Sequence, residues 1–233
     1  MRLVPIFSHD NGDYELFRNE IIHIARKNLR VPNDGEWYTS RGGLRSPVID
    51  DSCPMEPDGL SVFADLNNWI EWKLNESARE LFSRLSVRLK INRSWICMNR
   101  ARSGDWNVPH DHGSDNYLSG VFYIDVPSDD CGNLYIMNPN VVSFFKSGNE
   151  RSYSDLSEMV PREGRLIYFP SDLVHFVGPN LSNVDRIAYS FNSIPVDPLS
   201  GKKYSTGYSS EFTDSVYGMI RDIHKSTSSS GDD

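Results

Sequence analysis

The chain is short of cysteine. Three occur in 233 residues, Cys53, Cys97 and Cys131, widely spaced and without a Cys-x-x-Cys pair. That spacing excludes a cysteine-based zinc site and matches the free thiols of a reducing compartment, so a cytoplasmic location is expected. Basic charge is also scarce. With 24 Lys and Arg against 32 Asp and Glu, the net charge is -8, which argues against a surface built for non-specific phosphate binding. Nucleic acid is therefore the least attractive partner, although a local basic groove stays compatible with this balance. No apolar run reaches the length of a membrane span. The opening "MRLVPIFSHDNGDYELF" is too short in apolar residues and meets acid too early for a signal peptide. Long charge runs, internal repeats, a P-loop, a GxSxG and a Cys–His signature are missing as well.

What remains is an ordinary globular composition in a length suited to one sizeable core rather than two full domains. The first half reads as helical. "YELFRNEIIHIARKNL" sets Leu16, Phe17, Ile21, Ile24, Ala25 and Leu29 on one face, with Asp13 as candidate cap. A loop rich in Pro and Gly follows, and then "DGLSVFADLNNWIEWKLNESARELFSRLSVRL" predicts helix, broken near Asn75 into two. From about Ile91 the texture changes to short β-branched or aromatic runs bounded by Gly, Pro, Asn or Asp: "SWICMN", "YLSGVFYIDV", "NLYIMNP", "GRLIYFP", "LVHFVGP" and "RIAYSFNSIPV". Without helices between them, these predict an all-β sandwich or barrel. The expected organisation is a single domain: helical support over 1–90, a β core over 91–195, and an extension over 196–233 whose end, "HKSTSSSGDD", is disordered.

The six histidines divide into two groups. His23 is a helix-boundary residue, and His9 and His224 lie in polar sequence where solvated histidines are common. His110 and His112 are separated by one residue, so on a strand they project from the same face while Asp111 points away. His175, in "PSDLVHFVGP", falls on a later strand. Imidazole suits iron, copper, nickel or zinc, yet a strand-edge HxH and a lone core histidine are each common without metal; spacing leaves the two readings even. Arg186 tilts the balance. It opens the alternating strand "RIAYSFN" eleven residues after His175, where a guanidinium is either a rim salt bridge or an inward fork for a carboxylate.

With these residues in hand, the strings "SRGGLRS", "HDHGSDNYLSGVFYIDVP", "GNLYIMNP", "PREGRLIYFPSDLVHFVGPN" and "RIAYSFN", in that order over roughly residues 37 to 193, resemble the iron(II)- and 2-oxoglutarate-dependent oxygenases. The nearer likeness is to a prolyl-4-hydroxylase-like group of bacterial and phage oxygenases. The resemblance implies a mainly β fold with N-terminal helices, a double-stranded β-helix (jelly-roll, cupin-like barrel) with helices packed on one side. It implies Fe(II), 2-oxoglutarate and O2, and hydroxylation of an unactivated C–H bond with release of succinate and CO2. The superfamily holds iron by an HxD or HxE pair and a distal histidine; here His110 and His175 match the histidines while His112 stands at the acidic position. The ligand set is then His110, His112 and His175, with Asp115 as the alternative to His112. Arg186 matches the residue that pairs with the far carboxylate of 2-oxoglutarate. The hydroxyl residue often found two positions later is Ala188 here, with Ser190 as a substitute further along the same face. Tyr123 resembles a tyrosine that donates to that carboxylate, or else is a core aromatic, and Asn99 is a further pocket candidate. Substrate-facing candidates are Trp106, Phe144, Phe145, Tyr153, Trp37 and Tyr38. The substrate, peptidyl or small, is not readable. Two rival readings stay open: a cupin-like metalloenzyme that does not use 2-oxoglutarate, and a non-catalytic jelly-roll module.

Overall fold

The computed structural model describes residues 6–32, 39–50, 60–81, 87–101, 103–113, 116–126, 130–137 and 156–204. Asp115, Trp37, Tyr38, Phe144, Phe145, Tyr153, Cys53, His224 and the C-terminal tail lie outside them. The N-terminal part holds β1 (Phe7–Asp10), α1 (Tyr14–Asn28), β2 (Val31–Pro32), β3 (Ser40–Arg41), β4 (Leu44–Arg45) and α2 (Leu60–Leu81). The remaining elements are strands: β5 (Arg88–Asn99), β6 (Trp106–His110), β7 (Leu118–Asp125), β8 (Leu134–Met137) and β9 (Leu156–Met159). They are followed by β10 (Arg165–Pro170), β11 (His175–Val177) and β12 (Arg186–Val196). So the first ninety residues supply short strands as well as helices.

All pairings between these strands are antiparallel, in two sheets. One has seven strands in the order β1-β10-β7-β12-β5-β4-β2, the other five in the order β3-β6-β11-β8-β9. The two-residue period of a strand divides the seven-stranded sheet into two faces. Ile96, Phe122, Ile124, Leu166, Ile187, Tyr189 and Phe191 join Ile21 and Ile24 of α1 and Phe63, Leu66, Ile70 and Leu74 of α2 in the larger core. Tyr123, Ile167, Phe169 and Ala188 lie on the opposite face and pack with Leu134, Ile136 and Val177 of the five-stranded sheet. The layers are therefore helices, large sheet, small sheet.

Four local expectations change. Leu16 is 85% exposed, because the buried stripe of α1 runs through Tyr14, Ile21, Ile24 and Ala25; a residue two positions after Tyr14 falls some 200° around the helix. Asp13 occupies the N-cap position without a side-chain cap bond, and Asn11 Oδ1 instead accepts from the Asp13 N–H. Helix α2 runs unbroken through Asn75. That side chain clamps the helix onto β5, its Nδ2 donating to the Leu89 carbonyl and its Oδ1 accepting from the Leu89 N–H. The polar residue marks a docking point, not a break. His9 is no loop residue either: it lies in β1, stacked on Tyr168 with Nε2 3.0 Å from the tyrosine hydroxyl. His23 is exposed on α1. Cys97 and Cys131 are free thiols. Among the described residues no helix is long and apolar enough to cross a membrane.

The doubled glycine of "SRGGLRS" has a steric cause. Gly42 and Gly43 take φ of 86° and 84°, a region that costs L-residues dearly. A Cβ on Gly43 would meet the Met98 carbonyl oxygen at 2.3 Å, and one on Gly42 the Asp105 Oδ1 at 2.0 Å. The turn between β3 and β4 thereby presses against the end of β5, bringing Ser40 and Arg45 to the wall of the cavity described next.

Candidate metal centre

Strand β6 ends where β11 begins, and their register sets His110 directly opposite His175. His112 follows two residues beyond β6. The chain is pinned there by the His112 N–H donating to the Ser171 carbonyl at 2.9 Å and by Asn116 Nδ2 donating to the His112 carbonyl at 2.8 Å. The result is a tight cluster. Ring centroids are 4.4 Å apart for His110 and His175, 5.3 Å for His110 and His112, and 5.0 Å for His112 and His175. One candidate ligand nitrogen from each lies within 4.8 Å of the others.

The ring orientations are fixed from behind. His110 Nδ1 lies 2.7 Å from the Val108 carbonyl and His175 Nδ1 2.9 Å from the Leu173 carbonyl, each two residues upstream. A carbonyl only accepts, so both Nδ1 atoms carry the proton and both Nε2 atoms present a lone pair, the arrangement that outer-shell partners impose on metal-binding histidines. Trp95 stacks on His112 at 6.0 Å, and Phe169 meets His175 edge-on at 4.7 Å. Burial, reinforced by the neighbouring histidines, lowers proton affinity, with His175 pushed down to about 3 and His112 to about 4. Burial lowers His110 too, against an opposing hydrogen bond to the Val108 carbonyl. Near neutral pH the three imidazoles are held in the neutral form that can ligate metal. His112 Nε2 and His175 Nε2 are 3.2 Å apart, so without metal the His112 N–H donates to the His175 lone pair, and with that proton moved to Nδ1 both nitrogens can face one cation. Three such nitrogens suit a divalent first-row metal.

Asp111 turns outward, its Oδ1 accepting from the Gly113 N–H at 3.0 Å. Asp115 lies outside the described residues.

Both sheets enclose a cavity of about 290 Å³ with the histidines on one wall. The opposite wall is the inner face of β5, β7 and β12. Inward positions of β5 are Arg93, Trp95, Cys97 and Asn99; those of β12 are Arg186, Ala188, Ser190 and Asn192; those of β7 are Ser119, Val121 and Tyr123. Arg186 is 4% exposed. It donates from Nη1 to the Gly132 carbonyl and from Nη2 to Asn99 Oδ1, both at 2.6 Å, while its buried Nε has no partner. Asn99 is itself held by donating from Nδ2 to the Asp105 carbonyl at 3.1 Å. Tyr123 shares this end of the cavity, one strand across from Ala188, and its hydroxyl bonds to no described residue. Burial raises the phenol to about 12, so it stays a proton donor.

Ala188 is buried at the position after Arg186 on the same face. Ser190 comes one further, about 13 Å along the strand from Arg186, level with Trp95 and beside Cys97. It therefore does not share the Arg186 end. Trp106 is 39% exposed and does not line the cavity. Sequence reasoning overlooked Arg93, Trp95, Cys97 and Asn192, although alternation from Asn99 back along "RSWICMN" gives the first three. Phe169 and the Gly132 carbonyl left no readable signal.

Residues 93–192 match the family model described as "Putative 2OG-Fe(II) oxygenase". No curated protein sequence matches the chain. Among solved structures, similar folds include a Pseudomonas putida prolyl-4-hydroxylase, with TM-score 0.54 and 13% identity over 82% of this chain and 92% of that one. A prolyl hydroxylase from Trichoplax adhaerens, in complex with a hypoxia inducible factor peptide fragment, gives 0.55 and 14% over 81% and 82%. HygX from Streptomyces hygroscopicus, with nickel and 2-oxoglutarate bound, gives 0.53 and 16% over 86% and 85%. The family match thus covers the β core between β5 and β12, less than half of the chain, and the likeness to these solved structures is one of fold.

Proposed function

We propose that the protein is an iron(II)- and 2-oxoglutarate-dependent oxygenase, with the metal held by His110, His112 and His175 and the co-substrate's far carboxylate by Arg186. The observation that carries this reading is the pairing, in one cavity, of a three-imidazole cluster with a buried guanidinium whose Nε lacks an acceptor. The residues fit both groups. A buried donor without a partner is costly, and a carboxylate at Arg186 Nε, with Tyr123 donating from beside it, satisfies both. HygX, with nickel and 2-oxoglutarate bound, has a similar fold. A cupin-like metalloenzyme gives no reason for that arginine, and a non-catalytic module gives none for the three converging imidazoles.

When bound, iron and 2-oxoglutarate supply the oxidising chemistry, in which 2-oxoglutarate goes to succinate and CO2 and one oxygen atom of O2 to a substrate C–H bond. The chain's own task is positioning. Val108 and Leu173 hold two imidazoles in the ligand tautomer, Trp95 and Phe169 fix the ring planes, and Asn99 with Gly132 aims Arg186. No side chain need act as general acid or base. The two sheets are read as a double-stranded β-helix, the molecule as cytoplasmic, and the substrate as peptidyl or small.

Iron-dependent formation of succinate from 2-oxoglutarate tests the proposal. Wild-type protein should form it with added Fe(II). His175→Ala should abolish turnover and iron retention together, whereas stoichiometric iron in that variant would show the ligand set to be wrong.

A further inference from the structure

Three arginines, Arg45, Arg93 and Arg186, line the cavity, and no Asp or Glu is among its described lining residues. This occurs in a chain where acidic residues outnumber basic ones by 32 to 24. Arg186 closes one end. Arg93 stands at the other, six residues from Asn99 on the same face of β5 and thus about 20 Å away along the strand. The histidines lie between, since His112 stacks on Trp95, the next inward residue after Arg93.

Arg93 is exposed at the rim and makes no hydrogen bond or ion pair with a described residue. By itself that describes a solvated surface arginine. Its neighbour changes the reading. Asn192 is paired with Arg93 across β5 and β12, is only 5% exposed, and lines the same cavity. Its Oδ1 already accepts from the Ser119 hydroxyl at 2.9 Å, so the Nδ2 amide group is left, and that donates to no described residue. An amide donor open to the cavity and a guanidinium stand side by side with no acceptor offered by the described chain. Such a donor pair matches an oxyanion, to which hydrogen bonds are charge-assisted.

We infer that Arg93 and Asn192 form a recognition subsite for an anionic group of the substrate, a carboxylate or a phosphate, on the far side of the histidines from Arg186. The inference rests on the oxygenase reading for its orientation, because it assigns the Arg186 end to the co-substrate and the Arg93 end to the molecule being oxidised. The substrate is then a small acid or phosphate ester that places a C–H bond near the histidines while its anionic end sits at the rim.

The test uses the full chain saturated with nickel(II) and 2-oxoglutarate, titrated with inorganic phosphate, with acetate, and with acetamide as a neutral match, by ligand-observed NMR. One or both anions should bind and acetamide should not, and whichever anion binds more tightly identifies the class. Arg93→Gln should weaken the anion at least about tenfold while leaving 2-oxoglutarate affinity unchanged. Asn192→Asp, nearly isosteric but of opposite charge, should abolish anion binding. Equal anion affinity in wild type and Arg93→Gln, or no anion binding to wild type, overturns the inference. Failure of 2-oxoglutarate to bind counts against the oxygenase reading instead. The same titration on metal-free protein still decides the subsite, because neither donor belongs to the metal cluster.

Discussion

On the helix side of the seven-stranded sheet, β12 contributes Ile187, Tyr189 and Phe191 to an apolar core. On its other side the same strand contributes Arg186, Ala188, Ser190 and Asn192 to a cavity wall. Strands β5 and β7 divide in the same way, Ile96 against Cys97 and Phe122 against Tyr123. One face is closed mainly by dispersion and hydrophobic burial against α1 and α2. The other keeps polar donors over an open volume, an arrangement that stabilises the fold little and suits ligand binding. A chain can carry both because a strand's side chains alternate, so sequence changes on one face leave the other nearly undisturbed.

Substitutions on the two faces should therefore separate stability from binding. The largest stability effect is expected for Phe122→Ala, a fully buried ring packed against Tyr14 and Trp69. It should cost ~3–5 kcal/mol in denaturant unfolding. If Ser190→Ala, on the cavity face, costs as much, the division between the faces is wrong. Arg186→Ala should weaken 2-oxoglutarate by about ten- to a hundredfold, the scale of a hydrogen bond to a charged group, with iron binding retained; a titration of the co-substrate measures it. An unchanged requirement would remove Arg186 from that role.

Asp105 sharpens the comparison, since it braces the Arg186 end from outside. Burial raises its carboxyl, but hydrogen bonds from the Arg100 side chain and backbone and from Ser103 outweigh this and hold it below the ordinary 3.8. A depressed carboxylate contributes stability that is full above its unfolded value and is lost as pH falls through the folded one. Unfolding between pH 5 and the acid limit should thus be less steep in Asp105→Asn than in wild type, and identical acid limbs would contradict the assignment. The smallest effect is expected at exposed Leu16, where Leu16→Ser should stay within about 0.5 kcal/mol.

The strand texture after Ile91 and the two-faced alternation were legible because period-2 patterning is a local property. The meeting of His110 with His175, by contrast, was implied by the family resemblance and depends on the β6–β11 register. Arg186 at the head of an apolar strand was legible too, although Arg165 opens β10 in the same way and only the family resemblance singles out Arg186. Other features depended on packing that no local pattern encodes. Leu16 falls off the α1 stripe by the angle of a helical turn, Asn75 reads as a breaker until Leu89 is opposite it, and His9 looks like loop sequence until β1 pairs with β10. Ser190 was placed on the right face, but its distance from Arg186 along the strand follows only from the register. Asn192 carries no sequence signal, because its place beside Arg93 and the amide nitrogen that Ser119 leaves over follow only from the strand register and packing.

The most direct test of the central claim is an anaerobic titration of metal-free protein with iron(II) and then 2-oxoglutarate, followed by visible absorption. The account predicts a metal-to-ligand charge-transfer band in the wild type that is absent from His175→Ala and needs more 2-oxoglutarate in Arg186→Ala. Iron binding without that band would contradict the co-substrate assignment, and no iron binding at all would contradict the metal centre itself.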